Sequence, residues 1–352
     1  MAIDDNDFVV LGDADVGDYN TEGTLPESPE TIQKIQKWLQ PTDFAADSSE
    51  YKKHRTSYVA GTGNWIQETE TYQAWHKSSE SASLWIKAIP GAGKSVFAAM
   101  IADKLAQTEK VPVLYFFFRQ IIAKNHDPQY LVRDWLCQLL LYSPSLQAKL
   151  KSLMEDGQGL DDISTDEFWH SLLHAMISIS KVYCVVDALD EMDISKLSFL
   201  NHLVELGKQK RHSTIKVLMT SRPLPRIESI LRTPSILQIS ILQIRLRQNM
   251  VDTDIAVYVN HRLWEHADVR LTDEIRESVQ NAIYTKGQGS FLYARLMMDN
   301  LLEDITQISS NGADVEQLMR KLPLSLEDMY NGMLLDHAAR SGVPQELQLI
   351  IL

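Results

Sequence analysis

The stretch Ala88-Ile89-Pro90-Gly91-Ala92-Gly93-Lys94-Ser95 has the residue types and spacing that hold phosphate. Gly91 and Gly93 let the backbone curl so that successive N–H groups point inward, and a helix starting there aims its positive dipole end at the same spot. Pro90 and Ala92 complete the cradle. Lys94 supplies a point charge for the β- and γ-phosphates, and the Ser95 hydroxyl is placed to ligate Mg²⁺. One position departs from the usual pattern. Ala88 stands where a first glycine eases the exit from the strand, and it is expected to tighten the loop without abolishing binding.

A second chemical stretch is Val182-Tyr183-Cys184-Val185-Val186-Asp187-Ala188-Leu189-Asp190-Glu191, an apolar run that ends in acid. Asp187 at the tip of such a strand would hold the metal or its water, where ligands of parallel sheets bind. Asp190 or Glu191 would then orient or deprotonate an attacking water. The competing reading is that Asp190, Glu191 and Asp193 cap a following helix over Ile194 to Leu206 and favour its dipole. A third strand, Ile215 to Thr220, leads into Ser221-Arg222-Pro223. Arg222 at that tip could sense the γ-phosphate or stabilise charge in the transition state. His170 and His174 are four apart on a helical pattern, as zinc ligands would be, but Ser171 stands where a zinc hydrolase has Glu, so metal binding there is disfavoured.

These groups need a scaffold, and the hydrophobic periodicity supplies one. Leu84 to Lys87 reads as a buried strand before the loop, and Val96, Phe97, Met100, Ile101 and Leu105 recur at helical spacing after it. Val113 to Phe118 is a dense apolar strand. Its aromatics lack the interleaved basic residues of a nucleic-acid stacking surface and are assigned to the core. Helical patterns follow over Leu131 to Leu141, Leu146 to Met154, and Phe168 to Ile179, the last with a capping box at Ser164 to Glu167. Upstream, Ser28 caps and Pro29 opens a helix carrying Ile32, Ile35, Trp38 and Leu39 on one face until Pro41. Trp65, Ile66, Tyr72 and Trp75 form a further apolar lead-in. Ile-Leu-Gln-Ile occurs twice, at 236–239 and 241–244, and only one copy need be a strand. From Asp254 the chain is helical.

The expected domains are an acidic disordered tail over 1–27, a helical lead-in over 28–80, a nucleotide-binding domain over 81–247 and a helical domain over 248–352. The fold class is α/β, a phosphate-loop domain with a mostly parallel central sheet flanked by helices, followed by an all-helical arm. The final run Leu347 to Leu352 is apolar with no stop signal, so more protein is expected to follow it.

Composition narrows the partners. Lys and Arg total 34 against 47 Asp and Glu, a formal net charge of −13, which argues against general nucleic-acid or anionic-membrane binding. Two cysteines, neither in a CxxC, suit a reducing compartment. No basic start precedes an apolar run, and no stretch has the length of a membrane helix, so a cytoplasmic or nuclear location is expected, the former preferred.

Taken in order, these motifs resemble the NACHT branch of the STAND class of P-loop NTPases, in particular its fungal NLR-like members. Gly61-Thr62-Gly63-Asn64-Trp65 and Trp75 look like the family's lead-in, and Trp85 to Ser95 like its Walker A strand and loop. Asp187 to Glu191 is similar to its extended acidic Walker B, and Thr220 to Pro223 to its sensor 1. Leu322 to Leu326 with Tyr330 is a further likeness. Phe291, in Gly289-Ser290-Phe291-Leu292, stands where relatives often carry a proline near the adenine. The resemblance implies ATP or ADP as ligand, with GTP possible, and Mg²⁺ as cofactor. It implies a nucleotide-gated switch with slow hydrolysis, a homo-oligomer when activated, and a part in non-self recognition or cell death. A winged-helix domain would lie beyond Leu352. Two other classes stay open: a small-molecule or nucleotide kinase, which needs an acceptor site and a mobile lid, and a scaffold that binds nucleotide without turnover.

Overall fold

The structure is a computed structural model that describes residues 25–157, 159–209, 213–232, 241–265, 273–307, 323, 327–328 and 330–331. The acidic run 1–24, the first Ile-Leu-Gln-Ile copy, Lys210, Arg211, most of Leu322 to Leu326 and the apolar end at Leu347 to Leu352 lie outside the described residues.

The strands are β1 Ala82–Lys87, β2 Val113–Phe117, β3 Lys181–Asp187, β4 Thr214–Ser221 and β5 Leu242–Arg245. All their pairings are parallel, in the order β2-β3-β4-β1-β5. β5 lies on the second copy of Ile-Leu-Gln-Ile; the first is outside the described residues. The helices begin with α1 Pro29–Leu39, α2 Glu50–Thr56, α3 Asn64–Glu68, α4 Glu70–Lys77 and α5 Lys94–Thr108. Next come α6 Ala123–His126, α7 Pro128–Leu139, α8 Pro144–Glu155, α9 Thr165–Ile177, α10 Leu200–Leu206 and α11 Pro225–Leu231. The helices α12 Gln248–Glu265, α13 Asp273–Gly287 and α14 Phe291–Gln307 follow β5.

Parallel strands are buried on both faces, which is why they read as continuous apolar runs. Alternation divides those runs between two layers. Phe116, Cys184, Val186, Val217, Met219 and Trp85 face a core shared with α1, α7, α8 and α9. Tyr115 and Tyr183 take the opposite face, where Tyr115 stacks on Tyr51 of α2 at 4.2 Å and Tyr183 meets Trp75 of α4 edge-on at 5.7 Å. The aromatics of β2 are buried, as the lack of interleaved basic residues implies.

The helix starts follow their caps. Ser28 accepts from the Thr31 N–H with Pro29 in the first turn, and Ser164 accepts from the Glu167 N–H. Ile35 and Leu39 of α1 are fully buried, so the lead-in helix docks on the first layer, with Trp38 edge-on to Phe168 at 6.0 Å. One expectation is corrected. Ile194 to Leu206 is not one helix: a 3-10 segment, Ile194–Phe199, carries a kink at Lys196 before α10 begins. Asp193 does cap it, accepting from the Ser195 N–H at 2.9 Å.

The chain forms two compact units. The first takes the described parts of 1–58 with 65–88 and 94–245, and holds the whole sheet. The second takes 59–64, 89–93 and the described parts of 246–352. In it α12, α13 and α14 pack on one another around Val259, Val279, Ile283, Met297 and Met298.

Candidate functional site

The loop between β1 and α5 has the backbone its glycines require. Gly91 sits at φ 75° and Gly93 at φ 84°, the left-handed region where a side chain is strained. Ala88 does not share that need. Among described non-glycine residues only Gln40, Ala188 and Gln288 have positive φ, so alanine at 88 fits the backbone without strain. Ala88 is buried, its N–H donates to the Ser221 carbonyl at 3.4 Å, and its carbonyl accepts from Lys94 Nζ at 3.0 Å. In the second unit, the Leu292 N–H donates to the Gly91 carbonyl at 3.3 Å, and a Cβ on Gly91 would lie 2.7 Å from Ser290 Oγ. Phe291 meets Tyr258 edge-on at 6.1 Å.

In the first unit, adjacent parallel strands bring the remaining groups together at their C-terminal ends. Asp187 ends β3 and is 1% exposed. Its Oδ1 accepts from the Thr220 hydroxyl, at 2.5 Å, and it also accepts from the Ser95 hydroxyl. Burial pushes the Asp187 carboxyl up, while His54, those two hydroxyls and Lys94 act the other way. Burial likewise pushes Lys94 down, and Asp190, Asp187 and Glu191 pull it back toward the ammonium. Partly buried Lys94 thus lies among the charges of Asp190, Asp187 and Glu191, beside a buried strand-tip aspartate that accepts from the Ser95 and Thr220 hydroxyls.

Past Asp187 the chain turns sharply. Ala188 adopts φ 55° and donates its N–H to Thr220 Oγ1 at 3.0 Å. The turn aims Asp190 at the tip of β4, where Oδ1 accepts from the Arg222 N–H at 2.9 Å and Oδ2 from Arg222 Nε at 2.8 Å. Glu191 points the other way. Its Oε2 accepts from the Gln120 N–H at 3.1 Å, and Arg119 Nη1 lies 3.6 Å from its Oε1. Neither carboxylate caps the next helix, whereas Asp193 does.

The predicted residues of the first unit, Lys94, Ser95, Asp187, Asp190, Glu191 and Arg222, thus share one end of the sheet. Sequence reasoning gave no part to His54 or Arg119 and placed Thr220 only within the run Thr220 to Pro223. Thr220 is fully buried at a strand tip, and that position was its signal. Arg119 stands just after the aromatic strand. His54 lies far upstream in a polar segment and carried no signal. Among the described residues no group of three or more His, Cys, Asp or Glu could hold a metal. A Mg²⁺ here would rest on Asp187 and Ser95 and take its other ligands from phosphate and water, the habit of that ion. The buried carboxylate and facing hydroxyl fit it.

Known proteins match over the same region. A profile of the family described as Nephrocystin 3, N-terminal, matches residues 61–222. The chain is 23% identical over 310 residues to the vegetative incompatibility protein HET-E-1 of Podospora anserina, covering 84% of this chain and 22% of that relative's length. Both matches support a NACHT-type, fungal NLR-like region. Among solved structures, domain III of the Thermotoga maritima replication initiation protein DnaA aligns with a TM-score of 0.39 at 14% identity, covering 76% of this chain and 95% of that one. Drosophila ORC bound to DNA aligns with a TM-score of 0.44 at 15% identity, covering 77% and 69%.

Proposed function

We propose that this chain is the nucleotide-binding part of a signalling switch that holds ADP at rest, exchanges it for ATP with Mg²⁺, and hydrolyses ATP slowly. The observation that carries the reading is the set at the sheet's C-terminal end: desolvated Lys94, and Asp187 buried between the hydroxyls of Ser95 and Thr220. Lys94 binds the β- and γ-phosphates, and the N–H groups of Pro90-flanked Gly91, Ala92 and Gly93 cradle them. Ser95 and Asp187 hold the cation, which supplies charge neutralisation at the phosphates when bound. Glu191 orients water and accepts its proton. Asp190 fixes Arg222, whose guanidinium remains half-exposed and able to meet negative charge that builds on the γ-phosphate.

HET-E-1 is by its name a vegetative incompatibility protein, and this chain spans 22% of its length. The similarity supports a place in a non-self recognition or cell-death pathway, with homo-oligomerisation on activation and a cytoplasmic location. Among the described residues no helix is long and apolar enough to cross a membrane.

The test is to identify nucleotide in the purified protein and then measure turnover. Lys94→Ala should lose ATP binding by a hundredfold or more, about 3 kcal/mol, in calorimetry. Glu191→Gln should keep binding and lose turnover by about 10² to 10⁴. Unchanged ATP affinity in the lysine variant would sink the proposal, and phosphate arriving in an added acceptor in place of water would make the protein a kinase.

A further inference from the structure

A cavity of about 370 Å³ opens beside β2, lined by none of the residues assigned to the nucleotide site, and the function above makes no use of it. Its floor is aromatic. Tyr51 and Tyr115 stack at 4.2 Å, Phe44 meets Tyr115 edge-on at 6.2 Å, and Phe117 tilts onto Tyr51 at 5.9 Å. Two carboxylates, Glu50 and Asp134, complete the wall. Asp134 is 1% exposed and accepts only neutral donors among the described hydrogen bonds, the Thr42 N–H at 2.7 Å and the Thr42 hydroxyl at 2.5 Å. The rim residues Asp43, Ser48 and Lys124 are exposed, so the cavity is open to solvent. With Asp43, Glu50 and Asp134 against Lys124, acid outnumbers base in the lining.

We propose that this cavity binds a small organic ammonium ion, seated on the faces of Tyr51 and Tyr115 with its charge toward Asp134 and Glu50. The volume lies within the range of ligand pockets, about 300 to 1,000 Å³. Aromatic faces attract a cation through the ring quadrupole, and the attraction is strongest for a weakly hydrated alkylammonium at a desolvated site. Asp134 accepts from neutral donors and keeps lone pairs for such a guest, whose charge favours the ionised carboxylate that burial alone disfavours. A phosphate or carboxylate ligand would meet lining carboxylates that outnumber the lining's lysine, Lys124.

The wall is joined to the nucleotide site. Arg119 bridges them, with Nε 4.0 Å from Glu50 Oε2 and Nη1 3.6 Å from Glu191 Oε1. Glu50 also pairs with Lys53 Nζ at 2.8 Å through its other oxygen, so a guest cation competes with Lys53 and with Arg119 for it and turns the guanidinium toward Glu191. This link to turnover rests on the role proposed for Glu191, whereas binding itself does not.

The experiment is calorimetric titration of the nucleotide-free chain with benzyltrimethylammonium, alongside benzyl alcohol as an uncharged aromatic control. Saturable binding of one equivalent is expected, weakened about tenfold in Glu50→Gln. Ser48→Trp, a substitution on the exposed rim that leaves the core untouched, should abolish it by filling the entrance. No saturation below about 10 mM, equal binding of the alcohol, or undiminished binding in Ser48→Trp overturns the site. Benzyltrimethylammonium that binds and leaves ATP turnover unchanged overturns the link through Arg119 and leaves the site standing. Absence of turnover with binding intact counts against the nucleotide reading alone.

Discussion

Ala188 stores backbone strain where the acidic stretch turns. At φ 55° an alanine is less stable than a glycine by roughly 1 kcal/mol, and the cost is borne beside the groups it positions. Ala188→Gly should therefore raise stability by about 1 kcal/mol in denaturant unfolding, and loosen the placement of Asp190 and Glu191 enough to lower turnover. Ala88 is the opposite case. Its backbone is unstrained and its methyl is buried, so Ala88→Gly should cost about 0.5–1 kcal/mol and leave nucleotide affinity unimproved. A gain in affinity would show that the missing glycine weakens the loop. Gly91 tolerates no side chain, since a Cβ would meet Ser290 Oγ at 2.7 Å on a backbone already at φ 75°.

At the scale of elements, two polar joints tie strands and helices that lie far apart in sequence. The Thr220 hydroxyl connects the tips of β3 and β4, donating to Asp187 and accepting from the Ala188 N–H. Thr220→Val keeps the shape and leaves both partners short of a bond. It should cost about 1–3 kcal/mol and weaken Mg²⁺-dependent nucleotide binding more than Mg²⁺-free binding. The other joint is Asp134 on α7, which holds Thr42 just beyond α1. Burial raises its pKa from the ordinary 3.8 to about 7, opposed by the bonds from Thr42 and the charge of Lys124 and aided by Asp43. The folded chain then binds more protons than the unfolded one between those values. The stability this group contributes is fully present below about 3.8 and is lost as pH rises through about 7. The loss is on the order of 4 kcal/mol. Unfolding free energies of wild type and Asp134→Asn, compared from pH 5 to pH 8, should converge on the variant's flatter profile; parallel profiles would refute the assignment.

For the whole molecule, a formal net charge of −13 opposes association of identical chains. If ATP drives assembly, the assembled fraction in sedimentation should rise as salt goes from about 0.01 M to about 0.15 M, because the Debye length shrinks from about 30 Å to 8 Å. Lys94→Ala should stay at the monomer mass in both. The grouping of Ile89–Gly93 with 59–64 and the helices after β5 also belongs to this scale. Chain order assigns the phosphate loop to the sheet it leaves, whereas Gly91 makes its close contacts with Ser290 and Leu292.

The sequence by itself determined the fold class and named most of the residues proposed for the site, because each signal there is local. Buried parallel strands must be apolar on both faces, glycines favour positions where φ is positive, and Asp187 ends its strand after a run of buried apolar residues. Tertiary structure decided what depends on register between distant segments: that Asp190 clasps Arg222, that Thr220 serves Asp187, and that Glu50, Arg119 and Glu191 form one chain of charge. It also paired Leu242 to Ile244 of the second Ile-Leu-Gln-Ile with β1. Pairing energies come from neighbours brought together by folding, which no local preference specifies.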